Sequence, residues 1–484
     1  MTTDMRWRSV IGLEVHVQLS TASKMFCRCE ARFGAPPNTL ICPVCTSQPG
    51  TLPVLNAEAL RLGVLAGLAL DCTVDPSTKF DRKNYFYPDL PKGYQISQFD
   101  RPLCRDGHFK FRTEEGKPCE VSIVRAHLEE DSGKIIHPEG MDFSLVDLNR
   151  AGTPLLEIVT GPDLKSPDEA MAYLQELRRT LRYAGVADCD MEKGGFRCDA
   201  NISIMPRDSD TLGTRTETKN LNSFRFVAGA LQAEIERQAV VLESGGTVVQ
   251  ETMAYDPDTC RTSVLRSKED AHDYRYFPEP DLPEFRVDPA WVAELSAALP
   301  ELPRARHARY VDELGLSKHD ADTLVAEKEL GDYFEATLEL TKKPKETANW
   351  LLTELLRLSN DRKLPIQELN TTPARLAELV NLVASGGVSI QAGRLLATAL
   401  EEQPEQTAAQ LAQSMDLVQV SDDGTLRQIV ERVIETEASV VERYRAGNAG
   451  LLNALLGSVM KASRGKANPQ AARQLLLDTL DSQG

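Results

Sequence analysis

Alternating hydrophobic and polar residues mark two strands in the first part of the chain. Residues 11–19 read IGLEVHVQL, and residues 196–204 read FRCDANISI. Strict alternation predicts a strand with one face in a core and the other face outside it. Helical spacing runs from Asn56 to Leu70, and Ser166-Pro167 supplies an N-cap followed by proline at the first helical position. We therefore expect a mixed, β-rich region up to about residue 290.

Beyond a proline-rich segment at 276–283 the pattern becomes helical. Apolar residues three and four apart, which are typical of amphipathic helices, recur in three stretches, at 312–326, 348–358 and 373–384. A shorter helical unit follows from about residue 411, and Asn468-Pro469 predicts the start of its last helix. The expected fold class is therefore α+β, with the strands first and the helices after them.

Length and composition are those of an ordinary globular protein. The 484 residues predict about three domains. A hydrophobic fraction of 42% and a charged fraction of 26% exclude a disordered chain and a disulfide-stapled mini-protein. The net charge of −17 excludes broad, nonspecific coating of nucleic acid, but it is compatible with a local basic patch. Because neither a secretory signal nor an apolar stretch of ~20 residues is visible, we expect a cytoplasmic protein that does not enter membranes.

Four of the ten cysteines lie close together, as Cys27-x-Cys29 and Cys42-Pro-Val-Cys45. Two short cysteine pairs on turns can supply four thiolates to a tetrahedral Zn²⁺, which leaves no open position for catalysis. This spacing favours a structural zinc site. Four free buried thiols and iron–sulfur ligation are the alternatives.

Carboxylates and histidines form a second candidate cluster. Glu14 and His16 share the polar face of the first strand, where they could hold a cation, although spacing alone favours a solvated strand face. Residues 127–134 contain three adjacent acids, which is as typical of an acidic turn as of a Mg²⁺ site. The polar face of strand 196–204 and the alternating charges of residues 215–222 could line a phosphate site.

The end of the chain is basic, in contrast to the whole. No Asp or Glu lies between Arg443 and Leu477, whereas Lys461, Arg464 and Lys466 follow one another closely. This pattern favours contacts with a phosphate backbone over a merely solvated helix face. No P-loop sequence occurs, so any use of ATP must proceed without one.

Long segments of the sequence resemble the GatB subunits of the bacterial aspartyl/glutamyl-tRNA(Asn/Gln) amidotransferases, the GatB family. They are VIGLEVHVQL (10–19), DRKNYFYPDLPKGYQISQ (81–98), HLEED (127–131), VDLNRAGTPLLEI (146–158), RCDAN (197–201), KNLNSF (219–224), DYRYFPEP (273–280) and VMKASRGKANP (459–469). The resemblance implies a cradle domain with a zinc-binding insertion (1–292), a helical domain (293–410) and a C-terminal tRNA-binding tail domain (411–484).

The resemblance also implies an enzymatic activity. Members of the family use ATP and Mg²⁺ to phosphorylate the side-chain carboxylate of Glu-tRNA(Gln) and/or Asp-tRNA(Asn), and ammonia then converts it to the amide. The ammonia comes from a glutaminase (amidase) subunit, which forms a heterotrimer with the GatB chain and a small third subunit. This chain lacks the Gly-Gly-Ser-Ser amidase signature, which agrees with glutamine hydrolysis in a partner. The sequence leaves open which misacylated tRNA is the natural substrate.

Individual residues acquire roles from the same resemblance. The implied catalytic residues and Mg²⁺ ligands are Glu14 and His16, together with Glu129 or Glu130 and Glu157. The implied contacts to ATP phosphates are Lys79, Arg82 and Lys83, and the implied tRNA contacts are Lys461, Arg464 and Lys466. The four cysteines match the zinc-bearing branch of the family. Two rival hypotheses are a non-catalytic tRNA-binding scaffold and a zinc-ribbon interaction protein.

Overall fold

The computed structural model describes residues 6–266, 274–419, 423–463 and 466–482. Two compact units divide the chain, Met1–Arg304 and Ala305–Gly484. The first unit contains the strands and the second unit contains helices, so the predicted α+β class is confirmed. The division into three domains, with boundaries at 292 and 410, stays a prediction.

Strands of the first unit are numbered in chain order. They are β1 (Trp7–Gln18), β2 (Thr73–Val74), β3 (Ser77–Thr78), β4 (Asp81–Asn84), β5 (Tyr94–Ser97), β6 (Cys104–Arg112), β7 (Pro118–Glu130), β8 (Lys134–Ile136), β9 (Leu145–Asp147), β10 (Pro154–Thr160), β11 (Phe196–Pro206), β12 (Thr216–Leu221), β13 (Thr252–Asp256), β14 (Arg261–Arg266), β15 (Phe277–Pro278) and β16 (Phe285–Arg286). The helices of this unit are α1 (Ala57–Ala69), α2 (Pro167–Tyr183), α3 (Phe224–Glu243) and α4 (Pro289–Ala298).

A nine-stranded sheet, counted over the described residues, organises the first unit in the order β14-β13-β12-β11-β1-β10-β7-β6-β2. Neighbouring strands are antiparallel, except that β12 and β13 are parallel. Two small ribbons, β15-β4-β5 and β16-β3, tie the segment after residue 276 to residues 77–97. The proline-rich segment is therefore part of the first unit.

The two faces of this sheet differ as the alternation predicts. Leu13, Val15 and Val17 of β1 are buried in the hydrophobic core, which α1, α2 and α3 cover. On β11 the apolar residues 196–204 join the same core. A large cavity on the opposite face is lined by Glu14, His16 and Gln18 of β1 and by Arg197, Asp199 and Asn201 of β11. The half-buried character predicted for both strands is thus confirmed.

Helix starts follow the capping chemistry of the sequence. Asn56 caps α1, with its side chain accepting hydrogen bonds from the amides of Glu58 and Ala59. Ser166 caps α2, with Pro167 at the first helical position, as predicted. In the second unit the Asn468 side chain accepts from the amides of Gln470 and Ala471 and starts the last helix. These caps satisfy amides that would otherwise lack partners at helix starts.

The second unit is helical. Its helices are α5 (Pro303–Asp312), α6 (Lys318–Ala326), α7 (Lys328–Thr341), α8 (Pro344–Trp350), α9 (Leu356–Arg362), α10 (Pro373–Ala384), α11 (Ile390–Glu402), α12 (Ala408–Ser414), α13 (Asp423–Thr436), α14 (Ala438–Arg445), α15 (Leu451–Ala462) and α16 (Pro469–Ser482). A π-helical turn, Leu351–Leu355, joins α8 to α9. One hydrophobic cluster lies within residues 310–412 and another within residues 426–480.

One predicted helix is interrupted. The pattern at 312–326 predicts a continuous helix, which is wrong, because α5 ends at Asp312 and α6 begins only after the cap Ser317. Gly315 between them has a φ of +66°, a left-handed conformation that ends a helix. No helix of the described residues is both long and apolar enough to cross a membrane.

Candidate active site and cysteine centre

Polar residues on the open face of the sheet form rows that cross neighbouring strands. In one row His127 of β7 pairs with Glu157 of β10, which pairs with His16 of β1, which pairs with Arg197 of β11. The next residues on the same face form a second row, in which Glu129 pairs with Leu155 of β10. Strand pairing therefore brings together side chains that lie far apart in the sequence.

His16, Glu129 and Glu157 form what we call the acidic centre. The Nε2 atom of His16 lies 3.5 Å from Glu157 Oε2 and 3.7 Å from Glu129 Oε1. One potential ligand atom from each residue lies within 4.8 Å of the other two. Both carboxylates are buried, at 1% and 6% exposure. His127 adds a second imidazole, with its Nε2 atom 3.4 Å from Glu157 Oε2.

The electrostatics of the acidic centre fit a cation. Burial alone would lower the pKa of His16, but the neighbouring carboxylates, first Glu157 and then Glu129, raise it to about 9. Burial would raise the pKa of Glu157, but His127 and His16 hold it well below its usual range. The two buried carboxylates favour a positive charge at His16, and a divalent cation could supply that charge in place of the imidazole proton.

A cavity of about 1580 Å³ lies over this face of the sheet. Its lining includes the acidic centre, Glu14, Lys83, Arg125, Arg197 and Lys219. Among the described residues, three buried nitrogens at this face have no hydrogen-bond partner, Arg125 Nε, Arg197 Nε and His127 Nδ1. Unpaired buried donors and a wide cavity are features of a site that binds a polar ligand.

Glu14 lines the same cavity beside the acidic centre. Its Oε1 atom accepts a hydrogen bond of 2.9 Å from Asn201 Nδ2, and its pKa is raised by burial and by the charges of Glu157 and Glu217. It is not among the three residues whose ligand atoms lie within 4.8 Å of one another. Its role as a metal ligand stays a prediction.

Glu130 lies apart from Glu129. Adjacent residues of a strand point to opposite faces, and Glu130 accepts the amide of Ile96 at 3.1 Å and pairs with Lys92. It lines a separate cavity of about 160 Å³ next to Cys45. Of the two candidate ligands on β7, the structure therefore brings Glu129, and not Glu130, to His16 and Glu157.

The three candidate ATP contacts occupy different surroundings. Lys79 Nζ lies 2.8 Å from both Asp81 and Asp100, and Arg82 makes hydrogen bonds of 2.7 and 2.8 Å to Glu279. Of the three, Lys83 alone lines the large cavity. Burial would lower the pKa of Lys83, but Glu129 and Glu157 outweigh this effect and raise it.

Several cavity residues are missing from the candidates that the sequence names one by one. Lys219 of β12 bridges Asp199 at 2.9 Å and Glu217 at 2.8 Å, and Arg125 lies on β7 two residues before His127. Alternation identifies the polar face of β11, and the charges of residues 215–222 indicate a phosphate site. The sequence does not predict that β11 pairs with β12 and with β1. This pairing places the charges near the acidic centre.

The predicted cysteine cluster is assembled in the structure. The Sγ atoms of Cys27, Cys29, Cys42 and Cys45, here the cysteine centre, lie within 4.8 Å of one another. Cys45 Sγ lies 3.9 Å from Cys42 Sγ and 4.0 Å from Cys29 Sγ. Tetrahedral Zn²⁺ with Zn–S bonds of about 2.3 Å separates its sulfurs by about 3.8 Å. The donor set and its spacing therefore fit a single zinc ion.

The charge at the cysteine centre also favours a metal. A hydrogen bond from the Cys27 thiol, the backbone at Cys42 and the charge of Lys24 outweigh burial and lower the pKa of Cys45 to about 4. Burial, Cys42 and Cys45 raise the pKa of Cys29 to about 11. Ionisation is therefore favoured at Cys45 and disfavoured at Cys29, and a bound cation would favour the thiolate form of both.

The three tail candidates are not equivalent. Lys461 is exposed near the end of α15. Lys466 is partly exposed and pairs with Asp416. Arg464 lies outside the described residues.

Comparison with known proteins identifies the family. Residues 9–293 match the GatB/GatE catalytic domain, and residues 332–480 match the GatB domain. The GatB subunit of the aspartyl/glutamyl-tRNA(Asn/Gln) amidotransferase of Geotalea uraniireducens is 50% identical over 482 residues, which cover 99% of this chain and 100% of that protein. The proteins of the same name from Moorella thermoacetica and Myxococcus xanthus are 48% and 49% identical, over 98% and 97% of this chain and 100% and 98% of theirs. The chain therefore belongs to the GatB family, the family of these aspartyl/glutamyl-tRNA(Asn/Gln) amidotransferase subunits.

Proposed function

We propose that the large cavity is where this chain activates the side-chain carboxylate of Glu-tRNA(Gln) and/or Asp-tRNA(Asn). The carboxylate oxygen takes the γ-phosphoryl group of ATP, which gives an acyl phosphate and ADP. Ammonia then attacks the acyl carbon and expels phosphate, which leaves the amide. The observation that carries this proposal is the acidic centre, because its two buried carboxylates and one imidazole lie in the cavity that must hold both reactants.

The size of the cavity supports two ligands at once. Pockets for one small ligand have volumes of roughly 300–1,000 Å³, whereas this cavity has about 1580 Å³. A nucleotide and the aminoacyl end of a tRNA can therefore share it. Holding both reactants in one geometry is the main protein contribution to phosphoryl transfer.

We propose that Mg²⁺ is held by His16, Glu129 and Glu157, with Glu14, two residues before His16 on the same face of β1, as a further ligand. Two carboxylates and an imidazole fit a divalent cation, whose remaining positions are open to phosphate oxygens. When bound, the cation would neutralise charge on the phosphates during transfer. His127 orients Glu157 from the opposite side, since its Nε2 atom lies 3.4 Å from that carboxylate.

Cations on the cavity wall are proposed to bind the phosphates. Lys83 and Lys219 carry ammonium groups, and Arg125 has a buried Nε without a partner among the described residues. Lys79 and Arg82 are candidates from the resemblance, but their charges are already compensated by neighbouring carboxylates. We propose that these two residues support the strand that carries Lys83.

Partners and the structural metal complete the proposal. The relatives are named as one subunit of an amidotransferase, which supports assembly with other chains. We propose a heterotrimer in which a glutaminase (amidase) subunit supplies ammonia, a small third subunit joins the pair, and Lys461, Arg464 and Lys466 contact the tRNA backbone. The cysteine centre is proposed to hold structural Zn²⁺, so Cys42→Ser should lower both zinc content and melting temperature.

The decisive experiment separates catalysis from tRNA binding. This chain, assembled with its partner subunits, is given ammonium in place of glutamine, and ATP-dependent amidation of Glu-tRNA and Asp-tRNA is measured for wild type and Glu129→Gln. Glu120→Gln, an exposed residue on the same strand, is the matched control. We expect Glu129→Gln to abolish amidation while tRNA still binds, and Glu120→Gln to amidate like wild type. Full activity of Glu129→Gln would instead favour the non-catalytic scaffold.

A further inference from the structure

The cysteine centre packs against the turn from which β10 emerges. We call residues 146–153 the Arg150 turn. The amide of Met25 donates to the carbonyl of Gly152 at 2.7 Å, and a Cβ atom at Gly152 would lie 3.6 Å from Cys45 Cβ. Strand β10 begins directly after this turn and carries Glu157 of the acidic centre. The two centres are therefore joined by a short length of backbone.

Lys24 is the charged link between the cysteine centre and the Arg150 turn. Its side chain is completely buried, and its Nζ atom lies 3.6 Å from Cys45 Sγ and 3.4 Å from the carbonyl oxygen of Leu148. A buried ammonium is costly unless it is paired and hydrogen-bonded. Four thiolates on one divalent cation leave a net negative charge, which would pair this ammonium.

A second link reaches the Arg150 turn without touching a thiolate. The Asn38 side chain donates to the carbonyl of Val146 at 2.9 Å and accepts from the amide of Leu148 at 2.8 Å. Asn38 belongs to the loop between the two cysteine pairs and has a φ of +56°, where glycine is the most tolerant replacement. Asn38→Gly can therefore remove these hydrogen bonds without adding backbone strain.

Arg150 connects the Arg150 turn to the residues that follow β7. Its guanidinium donates to the carbonyls of Ser132 at 3.0 Å and Gly133 at 2.6 Å, and lies 3.6 Å from Asp131. Asp131 lies two residues after Glu129, and Glu157 lies on β10, which begins at the other end of the turn. The position of the turn therefore influences both carboxylates of the acidic centre.

We propose that Lys24 is a positioning residue through which a metal in the cysteine centre fixes the Arg150 turn and thereby sets the cation affinity of the acidic centre. The zinc ion then serves the active site as well as the stability of the fold. This inference rests on the proposed function, because it requires a cation in both centres.

The test measures the two centres separately in the full-length chain. Zinc affinity is obtained by competition with a chromophoric chelator, and Mn²⁺ affinity of the acidic centre from the electron paramagnetic resonance signal of free Mn²⁺. Substitution of a residue that hydrogen-bonds to a metal ligand typically reduces metal affinity by about 10–100-fold. We expect Lys24→Met to lower zinc affinity by at least about tenfold on this basis, and to lower Mn²⁺ affinity severalfold.

Asn38→Gly separates coupling from zinc binding. It leaves the thiolates and Lys24 in place, so we expect normal zinc affinity with a severalfold loss of Mn²⁺ affinity. Zinc-stripped wild type should lose Mn²⁺ affinity as Lys24→Met does. Lys110→Met, an exposed lysine on β6, is the matched control and should change neither affinity.

Different failures have different meanings. Wild-type Mn²⁺ affinity in Asn38→Gly, or wild-type affinity for both metals in Lys24→Met, would overturn the coupling while leaving the proposed function intact. Absence of zinc or Mn²⁺ binding in wild type would overturn the proposed metal centres, and this inference with them. Zinc-stripped wild type keeps the test decisive if Lys24→Met does not fold, because unchanged Mn²⁺ affinity without zinc would overturn the coupling.

Discussion

At the scale of single residues, the neighbours across the sheet decide what a side chain does. Glu129 and Glu130 are adjacent and both buried, yet one meets His16 in the large cavity and the other meets Lys92 in the small one. Their charges are compensated by different partners, so the same substitution will have different effects at the two positions. The same contrast applies to Lys83, which lines the large cavity, and Lys79, which is bound by two aspartates.

Lys83→Met should affect nucleotide and metal in opposite directions. If Lys83 contacts the phosphates as proposed, loss of its ammonium should raise the KM for ATP about tenfold, which corresponds to ~1.4 kcal/mol. Loss of a cation beside Glu129 and Glu157 should increase Mn²⁺ affinity in the absence of ATP. Ammonium-dependent kinetics and Mn²⁺ titration test these expectations, with Lys110→Met as the control. An unchanged KM for ATP would remove Lys83 from the phosphate site.

The sequence predicts the parts of the site that depend on residues close together in the chain, and it does not predict contacts between distant residues. Alternation within β1 and β11 predicts the faces of Glu14, His16 and Arg197, and cysteine spacing predicts the cysteine centre, because these patterns are local. The acids at 129–131 are as typical of an acidic turn as of a Mg²⁺ site, so the sequence does not predict the separation of Glu130 from Glu129. The partner of Arg82, Glu279, lies far along the chain, and only strand pairing reveals that contact.

At the scale of elements, helix ends and interhelical ion pairs fix how each unit is assembled. Ser166 caps α2 and accepts the amide of Glu169 at 3.1 Å, while Glu169 accepts the amide of Lys165 at 2.8 Å. This helix packs against α3 and β6 over the hydrophobic core. Its start is therefore fixed by local hydrogen bonds that the sequence already predicts.

Ser166→Ala should destabilise the first unit by ~1 kcal/mol, since the alanine leaves a helix-start amide without its side-chain acceptor. Ser166→Gly should cost only a few tenths of that, roughly 0.3 kcal/mol, because glycine is tolerated at this position. Urea denaturation followed by tryptophan fluorescence measures both, with Trp7 and Trp291 as reporters in this unit. Equal losses for the two variants would contradict the capping account.

Glu335 makes the stability of the second unit depend on pH. It lies on α7 and meets Arg306 and Arg309 of α5, with Arg306 Nε at 2.9 Å. Burial would raise the pKa of Glu335, but these two guanidinium groups outweigh it and lower the pKa to about 2. Because the folded pKa lies below the ordinary value of 4.5, the stabilisation is complete above pH 4.5 and is lost as the pH falls toward 2.

Comparison of wild type with Glu335→Gln tests this dependence. In a Trp7→Phe/Trp291→Phe background, Trp350 reports on the second unit alone. We expect wild type to be more stable than the variant at pH 6 and the difference to shrink at pH 3. A difference that is the same at both pH values would show that the ion pairs do not supply it.

At the scale of the whole molecule, the local charge of some regions differs from the net charge of the chain. The chain carries a net charge of −17, yet no acid lies between Arg443 and Leu477, and its large cavity contains clustered cations and carboxylates. A polyanion such as tRNA is repelled by most of such a surface and attracted at a few places. Contacts of this kind contribute affinity that does not depend on base sequence, and they weaken with salt.

The tail provides the final prediction, because its two described lysines differ in their partners. Lys461 is exposed, whereas Asp416 neutralises part of the charge of Lys466. Lys461→Ala should therefore raise the tRNA KM with little change in kcat, since a phosphate contact contributes equally to ground state and transition state. Asp416→Asn, which frees Lys466, should lower the tRNA KM.

Binding at several salt concentrations distinguishes these effects from misfolding. Each lost phosphate contact reduces the slope of log K against log salt by about 0.7–0.9, and each gained contact increases it by the same amount. Lys461→Ala and Asp416→Asn should therefore change the slope in opposite directions, while Lys110→Ala in the first unit leaves it unchanged. If Asp416→Asn weakens binding instead, the ion pair with Lys466 serves to hold the tail in its binding position, and the lysine itself does not contact the phosphates.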